Sequence, residues 1–287
     1  MGTWFEVWLA GEDPAHLADV AEAILDEVAR AEERLSWRDP RSEISRVNRD
    51  AANGPVRVDR EVFELLRTCR RGWFETGGAF DVTAGSSRRD GVFGGVSYAD
   101  VVLDEDDCSV RFPSRSLRID LGGIGKGHAL DRAGEMLEAF GVRNALIHGG
   151  TSSVLARGRT PPGSMWSVGV RDPWAFDDDE QVTRLELADR ALACSTALGW
   201  GHASSDLIDP RTGMALREQS GCVVLAESAT SAEVLSTALI CMGRDEAQEW
   251  LASRPDPSRS VLWIDAPGSK SRLDWIEQGT RAGGSAA

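Results

Sequence analysis

Long apolar runs are missing from this chain. No stretch reaches the roughly 18 apolar residues of a membrane-spanning helix, so no span is expected in its 287 residues. The amino terminus has no basic stretch followed by an apolar one, so no secretory signal is read and the protein is expected in the cytoplasm. Cysteine is scarce. Cys69, Cys108, Cys194, Cys222 and Cys241 are odd in number, widely spaced and form no Cys-x-x-Cys pair. Neither a disulfide framework nor a zinc site is indicated, and reduced, buried thiols are the expectation. Positive charge is also in short supply: 32 Lys and Arg against 46 Asp and Glu leave a net charge of -14. A field of that sign repels nucleic acid and anionic membrane surfaces, so no nucleic-acid partner is expected. An anionic ligand would need local help from a lysine, backbone N–H groups or a metal.

Several signatures of catalysis are absent too. His16, His128, His148 and His202 show no metal-ligand spacing, and no Gly-x-Ser-x-Gly elbow occurs. The glycine-rich run at 120–127 is not a P-loop. That motif needs glycine where Asp120 stands and Ser or Thr where Gly127 stands. Nor is it Gly-x-Gly-x-x-Gly, so a dinucleotide-binding βαβ unit is excluded on the residues.

What remains is an ordinary globular composition, 41% hydrophobic and 27% charged, sufficient for a real core. Residues 3–9 read as a strand. Asp13-Pro14 opens a helix carrying Leu17, Val20, Ala21, Ile24, Val28, Ala31 and Leu35, ending near Ser36. Residues 37–58 read as a polar loop. Asp59 caps a second helix with Val62, Phe63, Leu66, Cys69 and Trp73, which stops at Gly77-Gly78. An exposed loop is expected over 82–97, two short strands around the acidic turn 104–107, and a strand over 117–121. A helix follows from His128 to Phe140, with Gly141 as its stop. Strands are expected at 144–148, 153–157, 165–171, 182–188, 191–196, 221–225 and 261–264, helices at 231–242 and 245–252, then a loose tail. The order is α+β, with mixed, mostly antiparallel sheets and separated helices. Residues 1–278 read as a single unit and 279–287 as a disordered tail.

Four local patterns carry candidate chemistry. In Asp120-Leu121-Gly122-Gly123-Ile124-Gly125-Lys126-Gly127 the glycines let backbone N–H groups and carbonyls approach a ligand. The lysine adds a point charge. The run suits a phosphate or pyrophosphate, or else a tight strand-to-helix turn. Gly78-Ala79-Phe80-Asp81 follows a helix stop and is either a ligand contact or a turn. Asp209-Pro210-Arg211-Thr212-Gly213 has type I turn chemistry. Glu233 and Thr237 lie four apart on one helical face, as a pair of oxygen ligands for Mg²⁺ or as plain helix surface.

The order of these blocks is more specific than any one of them. Met1-Gly2-Thr3, the segment Ser42-Glu43-Ile44-Ser45-Arg46-Val47-Asn48, Gly78 to Asp81, Asp120 to Gly127, Gly149-Gly150, Asp209 to Gly213 and Leu235-Ser236-Thr237-Ala238 follow one another along the chain. Across nearly its whole length the sequence resembles the ApbE family, the FAD:protein FMN transferases. The resemblance implies a tunnelling-fold-like core that binds FAD and Mg²⁺. It implies transfer of FMN to a threonine hydroxyl of an acceptor protein, with release of AMP. Carried over by motif, Asp120 and Lys126 contact FAD. Met1, Ala79, Phe80 and Asp81 line the flavin and adenosine pockets, Trp37 stacks on the flavin, and Thr196, Leu207 and Ser236 complete the cofactor contacts. The Gly123 carbonyl, Glu233 and Thr237 hold Mg²⁺.

Three departures from the family pattern stand out. Asp206 replaces the histidine that serves as proposed base, with His202 four residues away as an alternative. Aspartate is the weaker base by roughly 2.6 pK units. Glu233 replaces an aspartate, and Thr196-Ala197-Leu198 replaces Thr-Ser-Gly. The readings left open are a transferase, a non-transferring FAD binder, and an FAD pyrophosphatase giving FMN and AMP.

Overall fold

The computed structural model describes residues 3–86, 96–175, 180–198, 205, 207–266 and 272–277. Strand β1 (Phe5–Ala10) leads into helix α1 (Pro14–Leu35), whose N-cap Asp13 accepts from the N–H groups of Ala15 and His16. Its buried stripe is Val20, Ile24, Val28, Ala31 and Leu35, the 3.6-residue period read from the sequence.

The expected loop at 37–58 contains two elements. Helix α2 (Glu43–Asp50) is capped by Ser42, whose Oγ accepts from Ser45 N, and β2 (Val56–Arg57) follows. Only Ile44 and Val47 of α2 are buried, a stripe too short to register as a period. Helix α3 (Arg60–Glu75) is capped by Asp59. At Gly72 an added Cβ would come within 2.8 Å of the Val234 side chain, so α3 lies tight against a later helix there.

Strands β3 (Val102–Asp104) and β4 (Ser109–Arg111) flank the acidic turn and join β2 in a three-stranded sheet ordered β2-β4-β3. The expected strand at 117–121 does not form. Side chains take the place of a strand partner. Asn48 donates to Ile119 O at 2.8 Å and accepts from Ile119 N at 2.7 Å. The Ser86 hydroxyl accepts from Arg118 N and donates to Arg118 O. The described ends of the expected exposed loop are also different: Val82, Thr83 and Ser86 are buried, while 87–95 lie outside the described residues.

Helix α4 (Gly125–Ala139) starts three residues before the expected His128. At Gly127 a Cβ would lie 2.5 Å from the Ala229 carbonyl, so only glycine permits this close approach. Strands β5 (Asn144–Gly149), β6 (Ser153–Arg157), β7 (Trp166–Arg171), β8 (Gln181–Leu187), β9 (Arg190–Thr196) and β10 (Ser220–Ala226) come next. Helices α5 (Ala229–Met242) and α6 (Arg244–Ala252) precede β11 (Ser260–Asp265) and β12 (Leu273–Glu277). The last strand corrects the expectation of a loose tail after 264. It pairs antiparallel with β11, with Leu262 opposite Trp275. The tail from 279 lies outside the described residues.

An antiparallel seven-stranded sheet ordered β1-β5-β6-β9-β10-β11-β12 organises the molecule. Its central strands are covered on both faces. Cys222, Val224 and Ala226 of β10 share a core with α5, while Val223 and Leu225 share another with the β7–β8 hairpin. That two-sided cover explains why β10 is buried at every residue. The α+β architecture is as expected. No helix among the described residues is long and apolar enough to cross a membrane.

Candidate functional site

A cleft of about 830 Å³ opens between the Trp37 loop, the turn at 79–85, the segment 118–123, the 207–210 loop and the later part of α5. The Ser42–Asn48 block builds its wall. Ser42 Oγ donates to Ser36 O at 2.6 Å and Ser45 Oγ to Trp37 O at 2.9 Å, which fixes the Trp37 loop. Asn48 fixes the opposite wall through Ile119. The Trp37 ring lies in the cleft, with the Arg38 guanidinium 4.7 Å from its centroid. This is a cation–π contact.

The turn after α3 places Ala79, Phe80 and Asp81 on the cleft. Phe80 N donates to Thr76 Oγ1 at 3.0 Å. The Asp81 carboxylate is committed to the turn. Its Oδ1 accepts from Thr83 N at 2.7 Å and Thr83 Oγ1 at 2.6 Å, and its Oδ2 from Tyr98 N at 3.1 Å. Burial pushes its pKa up against these hydrogen bonds. Phe80 is almost fully buried, so it supports the cleft floor more than it presents a surface.

The glycine run forms the floor. Asp120 Oδ1 accepts from Gly122 N at 2.8 Å, and Asp120 N bonds to Val82 O. The chain then turns into α4, whose N-cap residue Ile124 supplies no side-chain cap. The helix therefore begins beside the cleft with its positive dipole end uncovered by a side chain. Gly122 and Gly123 line the cleft, and a Cβ on Gly123 would sit 3.5 Å from Thr237 Oγ1.

Behind that floor the structure assembles Lys126 and Glu233. Lys126 Nζ lies 2.9 Å from Glu233 Oε1. Glu233 is buried, and Ser153 Oγ donates to the same Oε1 at 2.5 Å. Glu233 Oε2 is buried with no hydrogen-bond partner among the described residues. Only two lysines, Lys126 and Lys270, occur among the 32 basic residues. A compact ammonium shares one carboxylate oxygen with a hydroxyl more readily than a planar guanidinium does.

The remaining assigned residues divide. Leu207 and Thr237 line the cleft. Ser236 does not: it is buried, and its Oγ lies 2.9 Å from Ser195 Oγ and bonds to Glu233 O. Thr196 is half-buried on β9 opposite Gly221, away from the cleft lining. Met1, His202 and Asp206 lie outside the described residues. The 209–213 turn is tied down by Arg211, which pairs with Asp209 at 3.0 Å and with Glu246, and donates to Cys241 O. Cys241 faces the cleft, but burial with nearby Asp209 pushes its thiol up to about 12, so it is no nucleophile at neutral pH. Sequence reasoning missed Asn48 as a wall clamp and Ser153 as a partner of Glu233. Asn48 stood within a recognised block. Ser153 is 80 residues from Glu233 and carries no spacing signal.

The donors present fit a magnesium-type cation. Among the described residues no group of three or more His, Cys, Asp and Glu is able to hold a metal. One buried carboxylate with a bare oxygen, a threonine hydroxyl and a glycine segment are hard donors. Mg²⁺ characteristically takes one or two carboxylates and draws the rest from water and substrate phosphates.

A second hollow of about 940 Å³ lies between α3, α4 and α5. Several of its charges are paired, although Arg132 Nε is buried without a hydrogen bond among the described residues. Glu61 meets Arg34 at 2.9 Å, His128 at 3.0 Å and Arg132 at 3.2 Å. Asp131 accepts from Ser228 Oγ and from the Ala229 and Thr230 N–H groups, which caps α5.

Comparison with known proteins bears on the first cleft. A sequence model described as the ApbE family matches residues 1–95 and 87–261. A FAD:protein FMN transferase of Klebsiella pneumoniae is 26% identical over 271 residues, covering 84% of this chain and 81% of that protein. The crystal structure of the ApbE protein from Thermotoga maritima superposes with a TM-score of 0.80 at 27% identity, over 96% of this chain and 94% of its own. The flavin transferase ApbE from Vibrio cholerae shares the fold, with a TM-score of 0.77 at 21% identity over 96% and 93% of the two chains. With the family model matched along most of its length, Gly122 and Gly123 lining the cleft and Lys126 paired with Glu233, this chain belongs to the ApbE family.

Proposed function

We propose that this protein is an FAD:protein FMN transferase. It binds FAD in the cleft over the glycine run, breaks the pyrophosphate, passes FMN to a threonine hydroxyl of an acceptor protein and releases AMP. The observation that carries the reading is the uncapped start of α4 next to the Gly122–Gly123 floor, with Lys126 of its first turn 2.9 Å from Glu233, whose other oxygen is bare. In a chain of net charge -14 this is where an anionic group finds backbone N–H groups, a helix dipole and an ammonium together. The relatives named as FAD:protein FMN transferases support it.

The Gly123 carbonyl, Glu233 and Thr237 would hold Mg²⁺. Bound there, the cation neutralises charge on the pyrophosphate oxygens. Lys126 supplies a further positive charge to the phosphates. Trp37 gives the flavin an aromatic surface. Asp206, with His202 as the alternative, takes the proton of the attacking threonine hydroxyl. The acceptor is a protein met in the cytoplasm.

Asp206 favours a second reading, a non-transferring FAD binder, because the weaker base falls on the transfer step alone. The deciding experiment supplies FAD and Mg²⁺ with and without a domain bearing a flavinylation threonine, and measures AMP and protein-bound flavin fluorescence. AMP together with a fluorescent acceptor is the expected result. AMP without a labelled acceptor marks a pyrophosphatase, and tight FAD binding without AMP marks a binder.

A further inference from the structure

The two oxygens of Glu233 are treated differently. Oε1 receives both Ser153 Oγ at 2.5 Å and Lys126 Nζ at 2.9 Å. Oε2 receives nothing among the described residues, although it is buried. Leaving one oxygen of a buried carboxylate bare is costly, and such an atom in a native site calls for a partner.

The two donors on Oε1 also differ. Lys126 is partly exposed on a flexible stem at the start of α4. Ser153 is 1% exposed and is the first residue of β6. It sits opposite Gly149 of β5 on one side and Ala193 of β9 on the other. Its hydroxyl is thus carried by a strand held in the ladder on both edges, unlike the ammonium of the longer lysine.

We infer that Ser153 is a positioning residue that ties down Oε1 of Glu233, leaves only Oε2 for a divalent cation, and so selects Mg²⁺ over Ca²⁺. The inference rests on the reading of Glu233 as a cation ligand. A carboxylate offering one oxygen suits the small octahedral ion. Ca²⁺ takes more oxygens at longer distances and is commonly gripped by both carboxylate oxygens. Freeing Oε1 removes the bias. Glu233 has one more rotatable bond than an aspartate, so a fixed second contact matters more here.

The test loads the full chain with Mn²⁺, follows bound Mn²⁺ by electron paramagnetic resonance, and displaces it with Mg²⁺ or Ca²⁺. Wild type is expected to release Mn²⁺ to Mg²⁺ at lower concentration than to Ca²⁺. Ser153→Ala lowers that preference by about tenfold, the usual size of an effect from a partner of a ligand. Ser153→Thr, which keeps the hydroxyl, restores it. Ser153→Cys keeps the volume and weakens the donor, and is expected to behave as Ser153→Ala, which covers a loss of folding in the alanine variant. An unchanged Mg²⁺-to-Ca²⁺ preference in the folded Ser153 variants overturns the inference. Failure of the underlying reading looks different: Glu233→Gln would then hold Mn²⁺ as tightly as wild type, and the inference falls with it.

Discussion

The two hollows that share α5 are similar in size, about 830 and about 940 Å³, and are built in opposite ways. In the second, several charges are spent on neighbours: Glu61 on Arg34, His128 and Arg132, and Asp131 on the start of α5. In the first, the strong groups are left partly unspent. The glycine run has no side chains to fill the space, α4 begins without a side-chain cap, and Glu233 keeps a bare oxygen. Volume alone would put the second hollow first. What differs is the lining: a glycine floor beside an uncapped helix start in the first, and many charged side chains in the second.

Removing Lys126 should give the largest contrast. Lys126→Ala is expected to weaken FAD binding by about 10- to 100-fold, or about 1.4–2.8 kcal/mol, the range for a charged hydrogen bond. Arg132→Ala in the second hollow should leave FAD affinity within about twofold of wild type. Calorimetric titration with FAD reads both, and equal losses in the two variants would erase the distinction. Gly123→Ala should have a smaller effect confined to binding. The new methyl group lies 3.5 Å from Thr237 Oγ1, an ordinary contact, so the melting temperature should hold. The methyl group stands at the cleft floor, so FAD affinity should drop by about fivefold, near 1 kcal/mol. A lower melting temperature with unchanged affinity would place the ligand elsewhere.

The smallest effect is a pH dependence on the other side. Burial holds the pKa of His128 below its usual 6.5 despite the opposing pull of Glu61. The unfolded chain therefore takes up that proton first. The His128 contribution to stability is level above about pH 6.5 and declines as the pH falls from there to the folded value. His128→Gln should remove this part of the slope in urea titrations between pH 5.5 and 7.5, leaving the share of His148, which burial also holds low. FAD affinity relative to wild type should stay constant over the same range. A variant whose FAD affinity changes with pH would join the second hollow to the first.

Much of the frame was legible because it is local. Asp13, Asp59 and Gly141 mark helix boundaries by capping or by positive φ. Glu233 and Thr237 share one turn of α5, as their spacing requires. The failures have long-range causes. Segment 117–121 has the composition of a strand but meets Asn48 and Ser86 instead of a neighbouring strand. Helix α2 depends on one cap and two buried residues. Strand β12 is fixed by pairing with β11. Within the site, Ser236 was read as a ligand contact from its place in a motif, and packing against Ser195 buries it outside the cleft lining.

The sequence by itself determined the α+β order of elements, the absence of a P-loop, and the family pattern that joins the glycine run to Glu233 and Thr237. Caps, glycine stops and short spacings are written in neighbouring residues, where a few dihedral angles and hydrogen bonds decide the outcome. Only the tertiary structure decided which oxygen of Glu233 is held and which is bare. Ser153 and Lys126 reach that carboxylate from 80 and 107 positions away along the chain, on β6 and α4. Contacts of that separation leave no period in a sequence, because they arise when the sheet and helices pack and bury the same carboxylate.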